Sequence, residues 1–181
     1  MALKKFIPRS FANIGRSVFL SKHSMLASSH PIASSIGIEI LKNNGNAVDA
    51  AIAMSAVLCI AEPHMTGVGG DCFAMLSVDG SSKIKALNAS GKAPENSNAS
   101  ILRGSGHKYI KPEMPEAITI PSAISGWSLL HKEHGYMPWK DIFKPAINFA
   151  KNGLIVHERV AYDWAKNTKK LLFDKDTARI F

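Results

Sequence analysis

The sequence predicts a mixed α/β (α+β) domain in which helices pack on a small antiparallel sheet. Three observations predict it. Isoleucines recur at helical spacing at Ile32, Ile36 and Ile40; the segment from Ala47 to about Ala61 is apolar on nearly every side; and two runs of strand composition flank Asp79-Gly80.

With 181 residues and 46% hydrophobic composition, the chain can bury one sizeable core, and one globular unit is expected. Charge divides it: Met1 to Ser24 carries five basic and no acidic residues, Met25 to Ser100 four against six, and Ile101 to Phe181 thirteen against eight. Residues 1–24 therefore read as a basic N-terminal arm and residues 25–181 as the domain, with the net +8 coming from the two ends. A basic balance can mark a nucleic-acid partner, but no Lys/Arg run is interleaved with aromatics, so none is expected. The stretch Lys166-Asn167-Thr168-Lys169-Lys170 reads as a solvated helix face. Cys59 and Cys72 are the only cysteines and lie in no metal-ligand spacing, so neither a disulfide nor a metal site is expected, and Cys59 reads as a buried thiol. The N-terminus lacks the apolar core of about 7 to 15 residues that a secretory signal needs, which points to the cytoplasm. Glu62, Pro63 and His64 end the longest apolar stretch before it reaches a bilayer's thickness, so no membrane partner is expected.

Along the chain, Met25 to His30 reads as a strand feeding a helix that has Pro31 in its first turn. Asn43-Asn44-Gly45 closes that helix with a residue able to take the left-handed conformation. Asn46 then opens the next as N-cap, with Asp49 at the third helical position. This second helix must be enclosed by other elements. His64 to Gly70 is a glycine-rich turn whose expected purpose is close backbone packing. It leads into a β-hairpin, Cys72 to Val78 and Lys83 to Asn88. Asn88 to Ser125 contains Pro94, Pro112, Pro115 and Pro121 and is expected to be mostly loop, the favoured place for ligand contacts. Ser122 is placed to cap a helix running to Gly135; Pro138 opens another that should break or kink at Pro145 and end at Gly153. From Leu154 a further helix is expected, ending without a cap at Phe181, as though cut.

Three ordered blocks carry a family resemblance. The first is Ala27-Ser28-Ser29-His30-Pro31-Ile32-Ala33 with Gly37, Glu39-Ile40-Leu41 and Gly45 to Ala51; the second is Glu62-Pro63-His64 before Gly67-Val68-Gly69-Gly70 and Phe73. The third runs from Ile120-Pro121 through Gly126-Trp127, Gly135, Pro138-Trp139, Phe143 and Pro145-Ala146 to Gly153-Leu154. Together they resemble the N-terminal part of the large subunit of the γ-glutamyltransferase family, also called γ-glutamyltranspeptidases or glutathione hydrolases.

The resemblance implies part of a four-layer αββα sandwich of the N-terminal-nucleophile hydrolase type. It implies no cofactor. The family's precursor cuts itself before a Thr, whose hydroxyl attacks the γ-glutamyl amide of a glutathione-like donor while its own α-amine acts as base. The acyl group then passes to water or an amino acid. This chain contains Thr66, Thr119, Thr168 and Thr177, none in the family's Thr-Thr-His context, so no catalytic residue is expected here. The nucleophile belongs to a C-terminal, small-subunit portion, and the chain alone should be inactive. Relatives are often periplasmic or extracellular. The family also holds the donor's α-carboxylate with an Arg near an Ala-Pro pair. In Asn88-Ala89-Ser90-Gly91-Lys92-Ala93-Pro94 the better-known transferases have that Arg where this chain has Ser90, and some relatives place the basic residue where Lys92 stands, so the resemblance implies Lys92 as the one substrate-binding residue. Lys attracts a carboxylate as a point charge without Arg's two-bond clamp.

Other readings of these residues are weaker. The turn Thr66 to Gly70 lacks the Lys-Ser or Lys-Thr of a phosphate loop and enters a strand, not a helix. His131 and His134 share a helix face, but Glu133 points off it, so no third metal ligand is supplied. Glu62 is expected to hydrogen-bond the following glycine turn, with a general-base role as the alternative. The whole chain could also be a non-catalytic interaction protein retaining half of the fold.

Overall fold

The computed structural model describes residues 19–112 and 114–180. Most of the basic arm 1–24 therefore lies outside the described residues. Helix α1 spans Pro31–Lys42 and α2 spans Ala47–Ala61. His30 caps α1 with its ring nitrogen Nδ1, which accepts from the Ile32 amide at 3.2 Å. The helix stops where Asn44 takes φ 63°, the left-handed conformation its sequence allows. Asn46 and Asp49 form the expected capping box at the start of α2.

The apolar stripe of α1, Ala33, Ile36 and Ile40, is buried against α2. The two helices approach so closely that a Cβ on Gly37 would lie 2.6 Å from the Met54 sulfur. Small residues make this possible: Ala50, Ala53 and Ala56 of α2 are all buried. Helix α5, Trp139–Asn152, covers another side of α2 with Ile142 and Ala146. Full burial of an Ile such as Ile142, which is 0% exposed, contributes about 1.5–3 kcal/mol. Trp127 of α4, Ala123–His134, joins this core through Phe143, with ring centroids 6.1 Å apart.

Strands β1, Cys72–Ser77, and β2, Ile84–Ala89, pair antiparallel from Cys72 opposite Ala89 to Ser77 opposite Ile84. Asp79 at φ 55° and Gly80 at φ 66° make the turn, closed by the Ser81 amide donating to Val78 O at 3.0 Å. One face of this hairpin carries half-buried Cys72, Ala74, Leu76, Leu87 and Ala89. It rests on α4, where a Cβ on Gly126 would stand 2.7 Å from that of Ala89. The other face carries Phe73, Met75 and Ile84, which are 67%, 78% and 55% exposed. Short helix α3, Ala99–Gly104, and a 3-10 turn at Pro115–Ala117 interrupt the long proline-containing segment. Helices α6, Glu158–Leu171, and α7, Lys175–Ile180, follow.

Several expectations are corrected. Met25 to His30 forms no strand, because its hydrogen bonds turn into α1: the Ser28 hydroxyl donates to His30 O at 2.9 Å and pairs with the Ser34 hydroxyl at 2.7 Å. The strands among the described residues are thus those of the expected hairpin, in one sheet of two strands. Helix α5 runs unbroken through Pro145, since its neighbours Ile142 and Ala146 are held in the core and outweigh one missing amide bond. Ser122 sits at the N-cap of α4 without capping it; its hydroxyl donates to Ala89 O at 2.5 Å and ties the helix to β2 instead. Helix α2 is not wholly enclosed, with Ala51 exposed and Ser55 and Leu58 half-buried. The tail helix begins at Glu158, four residues later than expected, after His157 caps it. Among the described residues, no helix is long and apolar enough to cross a membrane.

Candidate functional site

Lys92 is exposed on the loop that leaves β2, and the backbone beneath it is fixed from two sides. Its carbonyl accepts from the Ile120 amide at 2.9 Å, and the amide of preceding Gly91 donates to Asp71 Oδ1 at 2.8 Å. The same carboxylate oxygen accepts from the Thr119 hydroxyl at 3.0 Å. Gly91 is required here by close approach, because a Cβ would fall 2.1 Å from Ile120 O. Nearby, Gly70 O accepts from the amides of Ser122 and Ala123 at 3.1 and 2.9 Å. The glycine turn, the Lys92 loop and the start of α4 are thereby joined into one assembly.

The glycine turn itself differs from expectation. A Cβ on Gly67 or Gly69 would meet nothing within 4 Å among the described residues, and on Gly70 only Gly67 O at 3.4 Å. Close packing within this chain does not explain these glycines. Glu62, 8% exposed, sends its carboxylate not to that turn but to the Ser29 hydroxyl, at 2.5 Å; its backbone carbonyl alone receives the turn amides of Met65 and Thr66. The reason is position: Glu62 ends α2 beside the segment entering α1, so Ser29 is the nearer donor.

His64 is likewise committed. Its Nδ1 accepts from the Trp164 indole at 3.3 Å and its Nε2 faces Asp163 at 3.4 Å, while Asp163 also takes Arg159 at 2.7 Å. This group ties α6 to the turn after α2. His131 donates from Nε2 to Met137 O at 2.7 Å. Glu133 reaches the adjacent His134, 3.6 Å from Nε2, while His131 turns to Met137 O instead. Long flexible side chains at adjacent positions can meet around a helix even when their Cβ atoms diverge.

His30 is 1% exposed, and its Nε2 has no hydrogen-bond partner among the described residues. Its ring stands edge-on to His157, 5.2 Å away between centroids. Burial pushes its pKa below 6.5, opposed by the nearby Glu62 charge and assisted by His157. Below 6.5 the unfolded imidazole takes up a proton that the folded one resists, so stability present above that value is lost as pH falls towards the depressed folded value. Protonation would also remove the Nδ1 lone pair that caps α1. Chemical denaturation should therefore show a midpoint that drops as pH falls below about 6.5. His30→Asn, which keeps a capping acceptor but does not titrate, should flatten that drop.

Burial also pushes the thiols of Cys59 and Cys72 upward, so neither is poised as a thiolate nucleophile. The hydroxyls of Thr119 and Thr168 are occupied by Asp71 and by the Ala165 carbonyl. Sequence reasoning missed Asp71 and Thr119, for an Asp following two glycines reads as an ordinary turn residue.

The model of the family described as gamma-glutamyltranspeptidase matches residues 33–181. The chain belongs to this family. Among its curated relatives, the glutathione hydrolase-like YwrD proenzyme of Bacillus subtilis is 35% identical over 157 residues, covering 87% of this chain and 30% of the relative. Among solved structures, cephalosporin acylase from Bacillus halodurans superposes with a TM-score of 0.81 at 33% identity, covering 92% of this chain and 31% of that one. The gamma-glutamyltranspeptidase of Helicobacter pylori gives 0.78 at 27% identity, covering 89% and 47%. The chain thus spans under half of each of these three proteins. Its helices and hairpin are a partial αββα sandwich of the N-terminal-nucleophile hydrolase type, and its family is one of enzymes with hydrolase and transferase names.

Proposed function

We propose that this chain is the N-terminal part of a γ-glutamyltransferase-like enzyme acting on γ-glutamyl amides such as glutathione. The acyl group passes to water or an amino acid through an N-terminal Thr located outside this chain. Lys92 supplies the cation for the donor's α-carboxylate. The observation that carries the reading is the Lys92 loop: an exposed cation on a backbone anchored to Asp71 and Ile120, beside a glycine turn open on its outer side. Preorganised backbone under a flexible ammonium suits recognition of a carboxylate without the bidentate geometry of Arg.

The test uses the enzyme completed with its nucleophile-bearing portion. Lys92→Met should raise KM for a γ-glutamyl anilide about 10-fold or more with kcat little changed, as for loss of a charge-assisted contact made equally before and during reaction. An unchanged KM would leave Lys92 as a surface cation. The apolar outer face of the hairpin is the surface against which that second portion packs, as the second sheet of the sandwich.

A further inference from the structure

Lys92 is one residue beyond the only backbone amide in its loop that reaches a carboxylate among the described residues, and that carboxylate sits at the start of β1. Asp71 lies between the glycine turn and Cys72, so its backbone is set by the sheet on one side and by the turn on the other. Its Oδ1 gathers two donors from segments far apart in sequence: the Gly91 amide, 20 residues on, and the Thr119 hydroxyl, 48 residues on. Those two segments then bond each other directly, Ile120 N to Lys92 O at 2.9 Å. Gly91 is pinched between them, with no room for a Cβ against Ile120 O. A three-way junction of this kind fixes where the Lys92 Cα stands and leaves its side chain to reach outward.

We propose that Asp71 is the positioning residue for Lys92 and, through it, a determinant of affinity for the donor's carboxylate. The inference rests on the reading of Lys92 as the carboxylate-binding cation. A carboxylate suits the junction because one oxygen can accept two hydrogen bonds and each is strengthened by its charge. Removing it frees the Gly91 amide and the Thr119 hydroxyl, both exposed to water. The predicted consequence is a displaced loop, with the core untouched.

The experiment is a double-mutant cycle in the completed enzyme, read as KM and kcat for a γ-glutamyl anilide. Asp71→Ala should raise KM about five-fold at nearly constant kcat, and Asp71→Asn, which retains an acceptor oxygen, should recover most of the loss. The double variant Asp71→Ala with Lys92→Met should be no worse than Lys92→Met alone within about two-fold, because Asp71 acts only through Lys92. If Lys92→Met leaves KM unchanged, the reading of Lys92 fails and takes this inference with it. If Lys92→Met raises KM but Asp71→Ala does not, or the two effects multiply, or Asp71→Ala lowers kcat alone, only the role of Asp71 is overturned.

Discussion

Asp49→Ala will lower the unfolding free energy by about 3–4 kcal/mol, the largest loss expected from any single polar substitution in the domain. Asp49 is 0% exposed and sits at the third position of α2. Its carboxylate accepts from the amides of Asn46 at 2.9 Å and of Tyr136 and Met137, each at 3.1 Å. His131 stands 3.9 Å away, and Asn46 itself reaches across to His134 O at 2.6 Å. One side chain therefore caps α2 and pins the connection between α4 and α5. Truncation leaves three part-buried amides without their acceptor, at a combined cost of about 3–4 kcal/mol. A guanidinium unfolding curve will show the loss, with a fall in Tm of roughly 10 °C for a domain of this size. Asp49→Asn should lie between, since one oxygen remains but an amide group then faces the backbone donors. A loss under about 1 kcal/mol would mean that water reaches these amides readily.

The second large effect concerns the outer face of the hairpin. Purified by itself, the chain should self-associate, and light scattering should report species well above the 19.6 kDa monomer. Phe73, Met75 and Ile84 project together from a two-stranded sheet with free edges among the described residues, and Ala51, Ser55 and Leu58 of α2 add incompletely covered surface. Phe73→Lys combined with Met75→Lys places two charges on that face and should shift the chain towards monomer without lowering Tm, because neither residue touches the core. The same isolated chain should show no turnover of a γ-glutamyl anilide. A monodisperse wild-type monomer would contradict the account of this surface, whereas turnover would contradict the placement of the nucleophile outside the chain.

What the sequence made legible is what is encoded locally. Pro31, the Asn46–Asp49 capping box and left-handed Asn44 mark helix ends through interactions within a few residues, and all three act as expected. The hairpin was legible for the same reason, since Asp79 and Gly80 supply the turn between runs of strand composition. Contacts between distant segments were not. Glu62 meets Ser29 across 33 residues, Asp71 meets Thr119 across 48, and Asp49 meets Tyr136 across 87. A lone Asp in a sequence carries no sign of which remote amides it will receive. At Pro145 a strong local rule predicted a break or kink; the helix does not break, and burial of Ile142 and Ala146 holds it on both sides. The proposal for Lys92 rests on the family resemblance alone, because an exposed loop cation has no local signature of binding.

The contact between α1 and α2 divides the chain's freedom to vary. Ala33 and Ala53 are both 0% exposed, and Gly37 has no space for even one added carbon before the Met54 sulfur. These positions hold the helices together by how little volume they occupy, so a larger side chain at any of them acts as a wedge. Drift over generations, or a designer's library, can repaint the solvent side of α1 at Glu39 or Lys42 freely. At Ala33, Gly37 and Ala53 the permitted alphabet shrinks to the smallest residues, and an increase there needs a matching decrease across the seam.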